Sequence, residues 1–160
     1  MTEIAVFAAG CFWGVEQVFR DTDGVRATEV GYTGGHKDNP TYREVCAKTT
    51  GHAEAVKVEF DPAMVSYEKL LEVFWQSHDP TQINRQGPDV GDQYRTAIFT
   101  TSDAQRQLAL ASLKAEDSSG RHGRPIATKV EPFDVWWKAE EYHQQYAEKN
   151  GGAACHVPGR

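Results

Sequence analysis

The run Glu3-Ile4-Ala5-Val6-Phe7-Ala8-Ala9-Gly10-Cys11-Phe12-Trp13-Gly14-Val15-Glu16-Gln17-Val18-Phe19-Arg20 changes its spacing rule halfway along. Glu3 to Ala8 has the length and apolar content of a short buried strand, and Gly10 stops it. From Phe12 the apolar residues fall at Phe12, Val15, Val18 and Phe19, the spacing of one helix face, so a helix is expected up to Arg20. Cys11 then lies on a strand-to-helix turn, at or beside the helix N-terminus. A thiol placed there can be buried filler, a lipid attachment point, a metal ligand or a nucleophile.

The two spacings continue outward. Val25 to Thr33 reads as a strand ending at Gly34-Gly35, and His36 to Val45 as a polar loop through Asn39-Pro40-Thr41-Tyr42. His52 to Phe60 alternates, with Ala53, Ala55, Val56, Val58 and Phe60 apolar and Glu54 among them, and Asp61-Pro62 closes this strand. Ser66 to Ser77 is a helix, with Ser66 as N-cap and Leu70, Leu71, Phe74 and Trp75 as its apolar stripe. His78 to Gln93 is a long polar loop carrying Asp89, and unstructured loops of that length are commonly functional.

Tyr94 to Thr101 reads as a strand, Ser102 as the cap of a helix from Asp103 to Glu116, Thr128 to Glu131 as a last strand and Lys138 to Lys149 as a last helix. A Gly- and Ala-rich tail, 149–160, is expected to be mobile and carries Cys155. The order strand-helix-strand-strand-helix-strand-helix-strand, with that final helix, implies an α+β two-layer sandwich. Its core is expected to be a ferredoxin-like split β-α-β unit with helices packed on a mixed sheet, in one domain spanning 1–160.

At 160 residues the chain can bury one sizeable core. A formal charge of −6, from 17 basic and 23 acidic residues, leaves no basic footprint for nucleic acid. No apolar run approaches the roughly 18 residues of a membrane-spanning helix. Ala8-Ala9-Gly10-Cys11 has the outline of a lipoprotein cleavage site but no basic residue before it, which argues against lipidation. Three cysteines without a CxxC pair do not form a secreted disulfide framework and point to a reducing compartment, the cytoplasm. The six histidines show none of the usual metal-ligand spacings, so no metal is expected.

Among the candidate residues, Cys11 gains from its place, because exposed N–H groups at a helix start favour a thiolate. An unperturbed thiol near 8.5 is only a few per cent ionised at pH 7, and lowering it by about 1.5 units makes roughly half of it thiolate. Phe12 and Trp13 are either core or an apolar wall suited to a soft group such as a methyl on sulfur. Cys155, on a Gly/Ala tether, has the reach a resolving cysteine needs. Cys46 sits among structured residues and reads as filler. Glu54, Tyr42, Tyr94 and Asp89 are polar residues that could meet at one sheet edge. A cysteine hydrolase would need a histidine base, and no spacing places one beside Cys11.

Together GCFWG (10–14), GYTGG (31–35), PTYREVC (40–46), GHAEAV (51–56), HDPTQINRQGPDVGDQYRTAIF (78–99) and AEEYHQQY (139–146) resemble the peptide methionine sulfoxide reductase A (MsrA) family, in order and over nearly the whole chain. The resemblance implies an oxidoreductase that returns methionine-S-sulfoxide, free or in proteins, to methionine, without cofactor. It implies that Cys11 attacks the sulfoxide sulfur, that Glu54 supplies the proton, and that Tyr42 and Tyr94 hydrogen-bond the oxygen. It further implies that Phe12 and Trp13 wall the methyl group and that Asp89 makes a polar contact. Cys155 would condense with the Cys11 sulfenic acid to a disulfide, which thioredoxin reduces, with Cys46 outside the cycle. A monomer is expected. The rivals are a thiol peroxidase and a non-catalytic peptide-binding module.

Overall fold

The structure is a computed structural model and describes residues 2–150, so the expected tail from 151 onward, with Cys155, lies outside the described residues. Its centre is β1 (Glu3–Ala9), paired antiparallel with β3 (Ala53–Phe60) on one side and with β6 (Thr96–Thr100) on the other. β2 (Val25–Thr33) extends the β3 side, and β7 (Lys129–Pro132) and β8 (Trp136–Lys138) form the edges. The resulting six-stranded sheet has the order β7-β6-β1-β3-β2-β8. Only β6 and β7 run parallel, so the sheet is mixed. The fold is a mixed-sheet α+β architecture.

Alternation along β1 sorts its side chains. Ala5, Phe7 and Ala9 face α1 (Phe12–Arg20), α3 (Tyr67–Gln76) and α4 (Asp103–Ser118), while Val6 and Ala8 face the other side, covered by Phe133 and Trp136. On the helical side Phe7 stacks on Phe19 at 5.0 Å and on Phe74 at 5.3 Å. Burying each such ring stabilises the fold by about 2–3 kcal/mol. The expected caps form: the Ser66 and Ser102 hydroxyls accept the N–H groups of Lys69 and Gln105. On the opposite face Gly31 is required, because a Cβ there would sit 2.5 Å from the Trp136 ring.

Four expectations need correction. The polar stretch before Val45 does not stay a loop: α2 (Tyr42–Cys46) forms there, nucleated by a capping box in which Thr41 and Glu44 satisfy each other's backbone N–H. The loop after His78 is not structureless. It contains the small hairpin β4 (Arg85–Gln86) and β5 (Asp89–Val90), and the Gln86 amide ties it to both backbone groups of Asp79. Tyr94 lies not in a strand but at the end of a 3₁₀ turn, Asp92–Tyr94, with β6 starting at Thr96.

The long last helix does not exist. β8 pairs with β2, a 3₁₀ turn follows at Glu141–His143, and only α5 (Tyr146–Lys149) is helical, so Lys149 belongs to α5 and not to the tail. Just beyond Lys138 the Ala139 N–H still donates to the Val30 carbonyl at 3.0 Å, but the Val30 N–H would lack a partner strand. The Gln144 side-chain amide replaces one, accepting the Val30 N–H at 2.9 Å and donating to the Val30 carbonyl at 2.9 Å. Gln145 then takes a left-handed φ of 52°, which a continuous helix forbids.

Candidate active site

The corner that opens the chain is built as β1 ends. Gly10 has φ +96°, and a Cβ there would sit 2.8 Å from Gln86, so both conformation and space demand glycine. Cys11 follows as the N-cap of α1, half-buried, with no side-chain cap bond. The next N–H, that of Phe12, donates to the Glu54 carboxylate at 3.2 Å. Glu54 stands on β3 opposite Tyr32 and is 1% exposed. Sheet register therefore delivers a buried carboxyl to the start of the helix that carries the thiol.

Two phenols converge on the same place. The Tyr42 ring lies 6.3 Å from Phe12 and 6.2 Å from Trp13, and its hydroxyl lies beside the Cys46 thiol. Burial, then the Glu54 carboxyl, pushes the Tyr42 phenol far above its ordinary value. The Tyr94 phenol is raised in the same way, first by burial and then by Glu54, Cys46, Asp89 and Cys11. Both therefore remain protonated donors at any physiological pH. Burial also raises the Asp89 carboxyl. Cys11, Glu54, Tyr42, Tyr94 and Asp89, drawn from five separate segments, thus share one neighbourhood; Cys155 lies outside the described residues.

The apolar wall is unequal. Phe12 is 0% exposed and packed against Tyr32 and His143, so it backs the site, whereas half-buried Trp13 is the ring with surface to offer. Trp13 is held on two sides: its indole N–H donates to His143 Nδ1 at 2.8 Å, and Tyr146 stacks on it at 3.9 Å. His143 is fully buried, and burial lowers its pKa, so the ring is neutral and carries its proton on Nε2.

Inspection of the sequence did not find His143, Tyr146, Tyr32 or Glu140 as site residues. The segment AEEYHQQY was part of the family resemblance, but its helical spacing concealed which side chains turn inward. Cys46, expected to be filler, lies beside the Tyr42 phenol and adjoins the site, and burial raises its thiol. Among the described residues no cluster of three or more His, Cys, Asp or Glu could hold a metal ion, and no helix is long and apolar enough to cross a membrane. A cavity of about 400 Å³ between His36 and Trp137 contains none of these site residues.

Residues 3–159 match the family model of the peptide methionine sulfoxide reductases. The chain is 60% identical over 153 residues to the peptide methionine sulfoxide reductase MsrA of Geobacter sulfurreducens, covering 96% of this chain and 94% of that one. The fold matches the reduced form of Mxr1 from Saccharomyces cerevisiae with a TM-score of 0.90 at 35% identity, over 98% of this chain and 92% of that one. Mxr1 in complex with Trx2 matches at a TM-score of 0.65 and 25% identity, over 98% and 87%. By descent and by architecture, this chain belongs to the peptide methionine sulfoxide reductase family.

Proposed function

We propose that the protein reduces methionine-S-sulfoxide, free and in proteins, to methionine, using Cys11 as nucleophile and thioredoxin as final reductant. The observation that carries this is a thiol at a helix start whose next N–H is bonded to a carboxyl that is 1% exposed. Desolvation favours the neutral form of such a carboxyl, so Glu54 can supply the proton the sulfoxide oxygen needs to leave sulfur. Tyr42 and Tyr94, both held protonated, donate to that oxygen. Trp13 receives the methyl group, with Phe12 behind it, and Asp89 makes a polar contact with the rest of the substrate.

The Cys11 thiolate adds to the sulfoxide sulfur and gives up two electrons; oxygen passes to Cys11, leaving methionine and a sulfenic acid. The Cys155 thiol then displaces that oxygen as water, forming a Cys11–Cys155 disulfide. The chain from Asn150 to Cys155 spans at most about 18 Å, and α5 starts at Tyr146, stacked on Trp13. Thiol exchange with thioredoxin restores both cysteines, and the complex of the yeast relative with Trx2 supports that partner. The antiparallel order β6-β1-β3-β2, with helices α1 and α3 in the connections, supports a ferredoxin-like split β-α-β core. A single catalytic domain with a tail that begins after α5, acting as a cytoplasmic monomer, completes this view.

The test mixes reduced protein with each sulfoxide epimer without added reductant. About one methionine per protein from the S epimer alone, with two of the three thiols lost, is the expected result. No methionine from either epimer overturns the proposal, and thiol loss with peroxide alone redirects it to a thiol peroxidase. Cys155→Ser should still yield one methionine yet fail to cycle with thioredoxin.

A further inference from the structure

Three carboxyl side chains reach the walls of the site, and the chemistry above uses Glu54 and Asp89. The third, Glu140, accepts the Tyr32 hydroxyl at 2.8 Å on one oxygen and the Tyr42 N–H at 2.9 Å on the other. Its backbone carbonyl accepts the His143 N–H at 2.9 Å and so opens the turn that carries His143. Burial pushes its carboxyl up, but the Tyr42 N–H and the Tyr32 hydroxyl outweigh that and hold it below the usual carboxylate value. It is an ionised clamp.

What it clamps is short, with Val45 as its one side chain fully buried in the core. α2 has five residues, far too few to persist as a helix without tertiary contacts. The Thr41–Glu44 capping box closes α2 on its exposed side, where Glu44 also pairs with Lys37 at 3.4 Å. The Glu140–Tyr42 bond joins the first turn of α2 to the body of the molecule, through Tyr32 on β2, whose ring packs 5.8 Å from Phe12. Three residues beyond Glu140, the His143 ring lies 4.3 Å from Tyr42 and accepts the Trp13 indole N–H. Glu140 thus meets the oxygen-handling half of the pocket through its side chain and the methyl-handling half through its backbone carbonyl.

We propose that Glu140 is a positioning residue: by binding the Tyr32 hydroxyl and the Tyr42 N–H it sets the Tyr42 phenol, and through His143 the Trp13 indole, at the geometry sulfoxide reduction needs. This rests on the function proposed above. A displacement of about 1 Å can lower a rate about a hundredfold, so reach matters more than charge. Glu140→Asp keeps the charge and withdraws the carboxylate by about 1.5 Å, one carbon–carbon bond. Glu140→Gln keeps the reach, since its oxygen can accept the Tyr42 N–H while its amide N–H donates to the Tyr32 oxygen.

The experiment measures single-turnover methionine formation from the S epimer, alongside alkylation of Cys11 read on its peptide. Glu140→Asp should slow methionine formation by about tenfold or more, leave alkylation within about twofold, and lose less than about threefold when added to Tyr42→Phe. Glu140→Gln should stay within about threefold of the parent protein. A parental rate in Glu140→Asp, a larger loss in Glu140→Gln than in Glu140→Asp, or multiplied losses in the double variant each overturn the clamp. Should Glu140→Asp not fold, Tyr32→Phe decides: a loss of about threefold with unchanged alkylation supports the clamp, and a parental rate overturns it. If the parent protein forms no methionine from either epimer, the proposed function fails, an outcome distinct from the failure of the clamp.

Discussion

The Cys11 corner and the C-terminal strap of residues 136–150 meet at Trp13 but are held by different forces. The corner is set by ladders and core packing: Ala9 pairs with Thr96, Tyr32 with Glu54, and Phe12 and Phe19 are fully buried. The strap has a three-residue strand, one 3₁₀ turn and a four-residue helix, too little to hold itself. Buried polar side chains hold it instead. Gln144 bonds the Val30 backbone, and the fully buried Glu16 accepts the Gln145 N–H at 2.8 Å and the Thr28 hydroxyl at 2.7 Å. A polar substitution should therefore change chemistry at the corner without changing its shape, and change shape along the strap before it changes chemistry.

The sharpest break is Glu54→Gln. Glutamine keeps an oxygen for the Phe12 N–H, so the urea midpoint should hardly move, while single-turnover methionine formation falls by about 10²–10⁴ as an acid is lost. Alkylation of Cys11 should stay near the parental rate; equal slowing would mean that Glu54 serves the thiol instead. Next in size is His78, which supports the corner from behind by leading into the loop that brings Gln86 to Gly10. Its ring donates from Nδ1 to the Phe74 carbonyl and accepts the Thr96 hydroxyl at Nε2, and burial lowers its pKa to about 4.

The unfolded chain therefore takes up this proton at a higher pH than the folded protein. Stability from His78 is complete above about 6.5 and is lost as pH falls from there to about 4, by at most about 3 kcal/mol. Urea midpoints at pH 7 and 4.5 should differ less in His78→Gln than in the parent protein. An equal difference would assign the acid sensitivity to the carboxylates alone. On the strap, Gln144→Leu leaves the buried Val30 N–H without a partner and takes one donor from the Val30 carbonyl, which keeps the Ala139 N–H, so it should cost about 2 kcal/mol. Because His143 moves with the strap, half-saturation by sulfoxide should rise and Trp13 emission shift, while the Cys11 alkylation rate holds.

The same division explains what the sequence disclosed. The corner was legible because strand and helix leave periods of 2 and 3.6 in the positions of Phe7, Phe12, Val15 and Phe19, and because Ser66 and Ser102 are caps by residue type alone. The box at Thr41 and Glu44 was equally local, but four polar neighbours obscured it. The strap was illegible because its hold is long-range: nothing near Gln144 announces that its amide substitutes for a strand beside Val30, over a hundred residues earlier. Only the family resemblance of AEEYHQQY marked the segment, and it assigned no contact to His143, Tyr146 or Glu140. Those contacts exist only once the chain has closed on itself.

The smallest expected effect asks whether surface charge shares in holding the strap. Arg20 on α1 pairs with Glu148 on α5 at 2.9 Å, with the two side chains 32% and 59% exposed. Water and salt screen such a pair, and ordering two long side chains offsets much of its attraction, so Arg20→Ala should cost less than about 1 kcal/mol and lose even that at high salt. Glu16→Gln acts at a buried position on the same helix and makes a control. Its amide can still accept one N–H, but its nitrogen faces the other donors, so its cost should be larger and indifferent to salt. If Arg20→Ala destabilised the protein as much as Glu16→Gln and recovered in salt, the strap would be an electrostatic latch, and Trp13 would be held by charges that thioredoxin or a substrate protein could unfasten on docking. A small, salt-screened effect means instead that the indole stays fixed whatever approaches the surface.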